Sequence, residues 1–314
     1  MHKKTSRFRL RSRSATALAL APALIMGMIV AGTGTAGAAS STYVPGNANV
    51  AARRLLVSDE FNGPAGAAPN SFIWSTMVGG SGFGNNEQEY YTNRSSNLSL
   101  DGKGHLAITA RKETYTGPDG VTRYYTSARI ASKVTIQYGY VEARIYLPAG
   151  QGLWPAFWTV GSDILTKGWP YCGEIDIMEA LNGMTTAMGN LHGPSATAPK
   201  NVYSFGSNKP APLANSWHTY GIDWEPDSIT WYLDGQAYGT VYKSQFNAQT
   251  NPWEFGKPHE VQLNLAVGGD WGGMPDASTP TVSTMLVDYV RVYSASTTYA
   301  AFGYNFLVPN ILKM

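Results

Sequence analysis

Apolar and polar residues alternate with a period of two along most of the chain after residue 55. In YGYVEARIYLP (138–148), the aliphatic residues at 141, 143, 145 and 147 share one face of an extended chain, and tyrosine, glutamate and arginine occupy the other. The same alternation marks residues 105–111, 228–242, 259–269 and 284–293. Strands with this pattern place one face on a core, so the chain is predicted to be all-β.

Turn residues separate these segments. Asp234-Gly235 divides residues 228–242 into two halves, and this dipeptide suits a two-residue hairpin turn because both turn residues take positive φ. No window of a dozen residues shows a helical stripe, so only short helical turns are expected. Many short strands joined by turns indicate an antiparallel sandwich or barrel, and the ring-bearing and charged residues on the second face favour the sandwich.

The first residues follow a different pattern. Six basic residues lie within residues 3–13, an apolar run covers about 15–30, and small residues follow at 36–38. This order is typical of a secretory signal peptide, so we predict cleavage after Ala38 and an extracellular, secreted protein. An uncleaved membrane anchor is the alternative, but the run contains Pro22 and Gly27 and falls short of the ~20 residues needed to span a bilayer.

Three parts follow the predicted signal peptide (1–38). Residues 39–54 are predicted to be a flexible lead-in, 55–294 a single β-sandwich domain, and 295–314 a tail to which the sequence assigns no role. Sandwiches of roughly 200–250 residues often form one domain.

Charge and cysteine content limit the partners. The predicted signal peptide holds six of the 23 Lys and Arg and none of the 21 Asp and Glu, so residues 39–314 carry 17 basic and 21 acidic side chains, a formal net charge of −4. A mildly acidic exported protein gives no reason to expect nucleic acid or an anionic membrane as a partner. The one cysteine, Cys172, cannot form an internal disulfide, so the fold must rely on its hydrophobic core. We expect a monomer.

Three carboxylates interrupt an otherwise apolar stretch, GEIDIMEA (173–180). In a regular strand, Glu174 and Asp176 would share a face while Glu179 pointed into the core, where an unpaired carboxylate costs several kcal/mol. A one-residue β-bulge near Ile177-Met178 would return Glu179 to the face of the other two acids. Side chains that lean inward would then bring the two glutamate carboxyls to ~5–5.5 Å, the separation found in retaining glycosidases.

Like charges at such a distance raise the pKa of one carboxyl, which keeps one acid protonated while its neighbour stays ionised. Two other interpretations of the spacing are open: a solvated acidic strand, and a divalent cation site. Trp154 and Trp158 in GLWPAFW (152–158) favour catalysis on a sugar, because aromatic faces pack against the apolar faces of sugar rings.

An ordered set of segments resembles glycoside hydrolase family sixteen, and within it the bacterial laminarinase-like endo-β-1,3-glucanases. The segments are GNNEQEYYT (84–92), YTSARI (125–130), YGYVEARIYLPAGQGLWPAFW (138–158), CGEIDIME (172–179), LHG (191–193), HTYGIDWEPDSITWYLDG (218–235), LNLAVGGDW (263–271) and DYVRVY (288–293). The resemblance covers about 55–294, which would be the catalytic domain. It implies a β-jelly roll, a sandwich of two curved antiparallel sheets with a concave substrate cleft.

The resemblance also implies roles for individual residues. Glu174 would be the nucleophile, Glu179 the general acid/base, and Asp176 the residue that poises the nucleophile. The implied substrate-binding residues are Asn86, Arg129, Trp154, Trp158 and His192. No cofactor is implied for catalysis, but similar enzymes often bind one structural calcium ion, whose ligands here would be Glu60, the carbonyl of Gly104 and Asp288.

The implied activity is endo-hydrolysis, with retention, of internal β-1,3 linkages in laminarin-type β-glucan polysaccharides. Asn190 stands where many relatives carry a small hydroxyl residue, which leaves the fine substrate preference open. The alternatives are hydrolysis of another β-linked polysaccharide such as mixed-linkage glucan, galactan or agar, transglycosylation, and a non-catalytic carbohydrate-binding jelly roll.

Overall fold

The computed structural model describes residues 53–296 and 308–309. The predicted signal peptide and most of the predicted lead-in and tail lie outside the described residues. Within the described residues, no helix has the length and apolar character needed to cross a membrane. Arg53, near the end of the predicted lead-in, is already buried and donates to the carboxylates of Asp223 and Glu225.

The described residues form two sheets, whose strands we number in chain order. The first sheet has ten strands: β1 (Leu55–Asp59), β3 (Glu89–Tyr91), β4 (Leu98–Leu100), β5 (Leu106–Thr116), β6 (Thr122–Ser127), β8 (Gly139–Tyr146), β13 (Trp217–Glu225), β14 (Ser228–Leu233), β15 (Gln236–Tyr242) and β17 (Val282–Tyr293). The second has eight: β2 (Trp74–Met77), β7 (Arg129–Ile136), β9 (Leu153–Gly161), β10 (Glu174–Glu179), β11 (Thr186–Pro194), β12 (Val202–Pro210), β16 (His259–Val267) and β18 (Val308–Pro309).

Helical structure in the described residues is confined to short turns, as the sequence predicts. These are α1 (Ile164–Lys167) and the 3-10 turns Pro199–Asn201 and Lys243–Gln245. The Asp234-Gly235 hairpin between β14 and β15 is also confirmed, because the two residues have φ values of 49° and 73°.

Strand order shows how distant segments meet. The first sheet runs β15-β14-β13-β8-β17-β5-β6-β3, with β1 beside β17 and β4 beside β5. The second runs β12-β11-β10-β9-β16-β7-β18, with β2 beside β7. The pairings are antiparallel except for β3 with β6. The predicted all-β antiparallel sandwich is therefore confirmed, and β10 lies inside the second sheet between β9 and β11.

The hydrophobic core lies between the two sheets. Val141, Ala143 and Ile145 of β8 are fully buried, as the alternation in 138–148 predicts. They belong to one cluster with Ile175 of β10 and Leu263 of β16, which come from the second sheet. This arrangement leaves the other face of the second sheet free to carry polar chemistry.

Trp231 of β14 connects the two sheets directly behind β10. Its side chain is fully buried, and its Nε1 donates to the backbone oxygen of Asp176 over 2.7 Å. Gly189 of β11 makes room for the ring, because a Cβ at that position would lie 2.3 Å from Trp231 Cδ1. The indole thus anchors the strand that carries the acids.

Replacing this indole tests the anchor. Trp231→Phe retains most of the apolar area but leaves the buried Asp176 carbonyl without its donor, so we expect a loss of about 1–3 kcal/mol in the free energy of unfolding. Urea unfolding followed by circular dichroism measures the loss. Tyr124→Phe, at a side chain that is 68% exposed, is the control and should unfold like the wild type. Equal midpoints for the two variants would contradict the anchoring role.

Candidate active site

Strand β10 contains the predicted bulge. Against β9, Asp176 pairs with Trp158 and Met178 pairs with Phe157, so Ile177 is the additional residue. Against β11, the register also shifts between Asp176 and Glu179. Ile177 and Met178 are both fully buried in the core. Two successive core residues therefore restore Glu179 to the face of Glu174 and Asp176.

The bulge gathers the three predicted acids beside His192 of β11. His192 Nε2 lies 3.3 Å from Asp176 Oδ2 and 4.0 Å from Glu174 Oε1. On the other side of the trio, Trp154 Nε1 donates to Glu179 Oε1 over 2.8 Å. The structure thus places the catalytic candidates and two of the substrate-binding candidates, Trp154 and His192, in one site.

Burial changes the acidity of the trio. Burial and then the Asp176 charge raise the pKa of Glu174 to about 8, and the charge of His192 acts in the opposite direction. Burial raises the pKa of Asp176 as well. Burial, followed by the charges of Asp176 and Glu174, raises the pKa of Glu179 well above its ordinary range. The trio therefore carries fewer than three negative charges at neutral pH.

His192 is oriented by Asn190, two residues before it on the same strand. The backbone N–H of Leu191 donates to Asn190 Oδ1 over 3.0 Å, and the Ser204 hydroxyl donates to the same oxygen over 2.9 Å. The amide nitrogen of Asn190 therefore faces His192 Nε2, at 3.1 Å. Asn190 Nδ2 can donate to Nε2 when the imidazole is neutral, so Asn190 holds the ring beside Asp176.

The floor of the site continues through Trp158 into β16 and β7. Trp158 Nε1 donates to Asn264 Oδ1 over 2.7 Å. The guanidinium of Arg129 lies 4.6 Å from the centroid of the Trp158 ring, and its Nε donates to Gln262 Oε1 over 2.8 Å. Arg129 thus supports the Trp158 ring from its face, as a cation over an aromatic system.

Three loops border the cleft, those between β2 and β3, β9 and β10, and β16 and β17. Asn86, with φ of 56°, donates from Nδ2 to Asp270 Oδ1 over 2.9 Å, so this predicted substrate-binding residue also fixes a turn. Trp271, 45% exposed, packs edge-on against Trp154 with ring centroids 5.3 Å apart. Trp169, 50% exposed, lies with its ring 6.3 Å from His192 and hydrogen-bonds to Glu174, which lowers the pKa of that carboxyl.

Our sequence reasoning missed Trp169 and Trp271. Trp169 lies three positions before the first residue of CGEIDIME, and Trp271 is the last residue of LNLAVGGDW. Asn264 and Gln262, on the buried strand β16, were missed too. Alternation along β16 was the available signal, because it places both on the face opposite Leu263.

The predicted calcium ligands do not fit a cation site in this structure. Both carboxylate oxygens of Glu60 accept from Arg291, over 2.9 and 2.7 Å. Asp288 Oδ2 accepts from Arg144 over 2.7 Å. Gly104 lies in the turn between β4 and β5, with φ of 90°. Because each carboxylate already has a cationic partner, these contacts give no support to the calcium hypothesis.

The fold and the site together define a jelly-roll glycoside hydrolase, with buried carboxylates between tryptophans on one face of a sandwich. The sequence profile described as "Glycosyl hydrolases family 16" matches residues 85–291. The chain belongs to this family, and the resemblance noted from the sequence is confirmed.

Known relatives and solved structures agree. The chain is 36% identical over 252 residues to the "Beta-glucanase" of Rhodothermus marinus, covering 76% of this chain and 84% of that protein. It is 36% identical over 254 residues to the "Glucan endo-1,3-beta-glucosidase" of Cryptopygus antarcticus, covering 75% and 90%. The X-ray structure of the endo-beta-1,3-glucanase from Pyrococcus furiosus has a TM-score of 0.70 and 43% identity, covering 77% of this chain and 94% of that one.

The hydrogen bond from Trp154 to Glu179 predicts a pH effect. This bond favours the ionised form of Glu179, so Trp154→Phe should raise the pKa of Glu179 further. A general acid is lost as pH rises through its pKa, so we expect the alkaline limb of the kcat/KM profile to move to higher pH, by about one unit. Trp253→Phe is the control, because the Trp253 Nε1 has no hydrogen-bond partner among the described residues. An unchanged or lower alkaline limb in Trp154→Phe would be evidence against the acid role of Glu179.

Proposed function

We propose that the protein is a secreted, endo-acting, retaining glycoside hydrolase that cleaves internal β-1,3-glucosidic bonds of laminarin-type glucans, and that it acts as a monomer. The observation that carries the proposal is the bulge at Ile177, which places two glutamates and an aspartate on one face between Trp154 and His192. The names of the relatives support the β-1,3-glucan substrate. The order of basic, apolar and small residues in 1–38 supports secretion.

The reaction is a double displacement. In the first step, the Glu174 carboxylate forms a bond to the anomeric carbon while the bond from that carbon to the glycosidic oxygen breaks, and Glu179 gives its proton to the departing oxygen. In the second step, Glu179 takes a proton from water, the water oxygen bonds to the anomeric carbon, and the Glu174 ester is released. Two inversions retain the configuration.

The electrostatics of the trio support this division of roles. Glu174 has three groups that favour its charged form, the charges of His192 and Arg129 and the hydrogen bond from Trp169. Burial and the charges of Asp176 and Glu174 raise the pKa of Glu179, which suits an acid that must stay protonated near neutral pH. Asp176, between them, senses both carboxyls and contacts His192.

Sugar binding is assigned to the tryptophans and polar groups around the trio. Trp154 and Trp158 supply aromatic surface on the floor, and His192 reaches the acids from β11. Asn86 contributes from the rim. Arg129 acts by holding Trp158 in place. Trp169 and Trp271 extend the aromatic surface to either side.

The leading alternatives share most of this geometry. A hydrolase for another β-linked polysaccharide would use the same trio, and a transglycosylase would pass the same glycosyl intermediate to a sugar. A non-catalytic binding protein would need the tryptophans but not a cluster of mutually repelling carboxyls. The retained trio therefore favours an enzyme.

Substitution of the two glutamates tests the catalytic roles. We expect Glu174→Gln and Glu179→Gln each to lower the rate of reducing-sugar release from laminarin by about a thousandfold or more, because each removes a group that takes part in bond making or proton transfer. Asp119→Asn, at an exposed carboxylate in the β5–β6 turn, is the matched control and should behave like the wild type.

The same experiment separates the alternatives. Release of reducing sugar from lichenan, agarose or β-galactan but not from laminarin would show that the substrate is another polysaccharide. NMR of the first product should show the β-anomer before mutarotation, and an initial α-anomer would contradict retention. If the protein releases no reducing sugar from any of these polysaccharides, the result would favour the non-catalytic carbohydrate-binding protein.

Metal removal is expected to have no effect. Because Glu60 and Asp288 are already paired with arginines, dialysis against EDTA should leave kcat unchanged and shift the melting temperature by less than about 1 °C. Differential scanning calorimetry before and after dialysis measures this. A fall of several degrees that calcium reverses and magnesium does not would restore the calcium hypothesis.

A further inference from the structure

Two further carboxyl groups are buried beside the cleft, and the reaction does not use them. Glu89 is fully buried and Glu87 is 4% exposed. The two Glu87 oxygens accept from Asn85 Nδ2 over 3.3 Å and from the Tyr91 hydroxyl over 2.9 Å. Glu89 Oε2 accepts from the backbone N–H of Val267 over 2.7 Å, whereas no donor in the described residues reaches Glu89 Oε1. A buried carboxylate oxygen with no donor is costly. The Glu89 side chain is hydrogen-bonded to that of Glu87, and two carboxyl groups can share a hydrogen bond only if one is protonated, which points to a proton on Glu89 Oε1.

We propose that Glu87 and Glu89 hold one proton between them, donated from Glu89 Oε1 to the Glu87 carboxylate, and that this carboxyl pair positions the cleft. Glu87 and Glu89 are then positioning residues. The pair acts on the proposed glucan site through two sets of contacts.

The first set of contacts leads to Trp158. The Tyr91 hydroxyl, which donates to Glu87, accepts from Asn264 Nδ2 over 3.2 Å. Asn264 Oδ1 in turn accepts from Trp158 Nε1 over 2.7 Å. The chain of donors has one direction only, from Trp158 through Asn264 and Tyr91 to a carboxylate. The Glu87 carboxyl group that accepts at its end therefore sets the orientation of the Trp158 ring.

The second set of contacts joins the two rim segments, 85–89 and 267–271. Besides the bond from Val267 to Glu89, the backbone N–H of Gln88 donates to the Val267 oxygen over 2.8 Å. The backbone N–H of Asp270 donates to the Asn85 oxygen over 2.8 Å. These segments carry Asn86 and Trp271. Loss of the shared proton would place two negative charges between the segments and weaken both rims.

The groups around the pair determine how it titrates. Tyr91 lies on the same strand, Tyr125 pairs with Glu89 from β6, and the Arg129 charge on β7 acts on Tyr91. Burial, and then the Glu87 charge, raise the pKa of Glu89 well above its ordinary range. The folded protein thus binds this proton more tightly than the unfolded chain does. Its contribution to stability is complete at acidic pH and is lost as pH rises through the folded-state pKa.

Melting temperature as a function of pH tests the shared proton without reference to activity. In Glu89→Gln, the amide N–H replaces the proton and the amide oxygen still accepts from Val267, so nothing in the pair can ionise further. We expect the melting temperature of Glu89→Gln minus that of the wild type to rise by about 2–4 °C between about pH 5.5 and about pH 8.5. The catalytic trio is present in both proteins, so its titration cancels in this difference.

Glu87→Gln provides a second variant. Its amide can donate to the Glu89 carboxylate, so no proton is shared, and its melting temperature minus that of the wild type should rise with pH in the same way. Glu113→Gln is the control, since that carboxylate is partly exposed and paired with Arg94 away from the rims. A difference that stays constant with pH in both Glu89→Gln and Glu87→Gln would overturn the proposal, because the pair would then hold no titrating proton.

Steady-state kinetics on laminarin test the positioning role, and this experiment rests on the proposed function. Between about pH 6 and about pH 9, we expect KM for laminarin to rise at least about threefold more in the wild type than in Glu89→Gln, with the ratio of their kcat values unchanged. A purely structural role would leave the KM profiles parallel and would overturn the positioning claim. If laminarin is not a substrate, the proposed function fails, and the melting experiment still decides whether the proton is shared.

Discussion

Burying an unpaired carboxylate in a hydrophobic core costs more free energy than placing one irregular residue in a β-ladder. The conformation of strand β10 follows from this difference. Without the extra residue at Ile177, the alternation of β10 would direct Glu179 between the sheets. With it, Ile177 and Met178 fill the core together, and all three acids share the opposite face. The cost of the irregularity is reduced by Trp231, whose indole N–H bonds to the Asp176 carbonyl from the facing sheet.

Burial then turns a row of acids into a site with distinct roles. The Asp176 charge raises the cost of ionising both glutamates, and the Glu174 charge adds to that cost at Glu179, so the proton distribution depends on the neighbours of each group. Glu174 faces His192 and Trp169, while Glu179 has the Trp154 N–H and the charges of the other two acids. Two donors hold Asn190 so that its amide nitrogen faces His192 Nε2, and this contact orients the imidazole beside Asp176.

The residues that line the site are held in place by other residues. Trp154, Trp158 and His192 lie on β9 and β11, the two strands that pair with β10, and the side chain of each has a hydrogen-bond partner. Trp158 is held by Asn264, which is held through Tyr91 by the buried carboxyl of Glu87. Aromatic surface at the cleft is therefore coupled to an acid pair that is out of contact with solvent. This arrangement links the shape of the cleft to the proton shared by Glu87 and Glu89, which is separate from the protons of the catalytic trio.

Local patterns determined the strands, the hairpin and the position of the bulge, because a period of two, an Asp-Gly turn and an acid that cannot be buried are properties of a few consecutive residues. The resemblance to a family supplied the separate roles of Glu174 and Glu179. Only the tertiary structure decided the partners: Trp154 for Glu179, Asn264 for Trp158, and Arg291 for Glu60, at separations of 25, 106 and 231 residues. Strand order brings such residues together, and no local alternation specifies strand order. For this reason the sequence by itself did not reveal the arginine partners of Glu60 and Asp288, the positions of Trp169 and Trp271 at the cleft, or the Glu87–Glu89 pair.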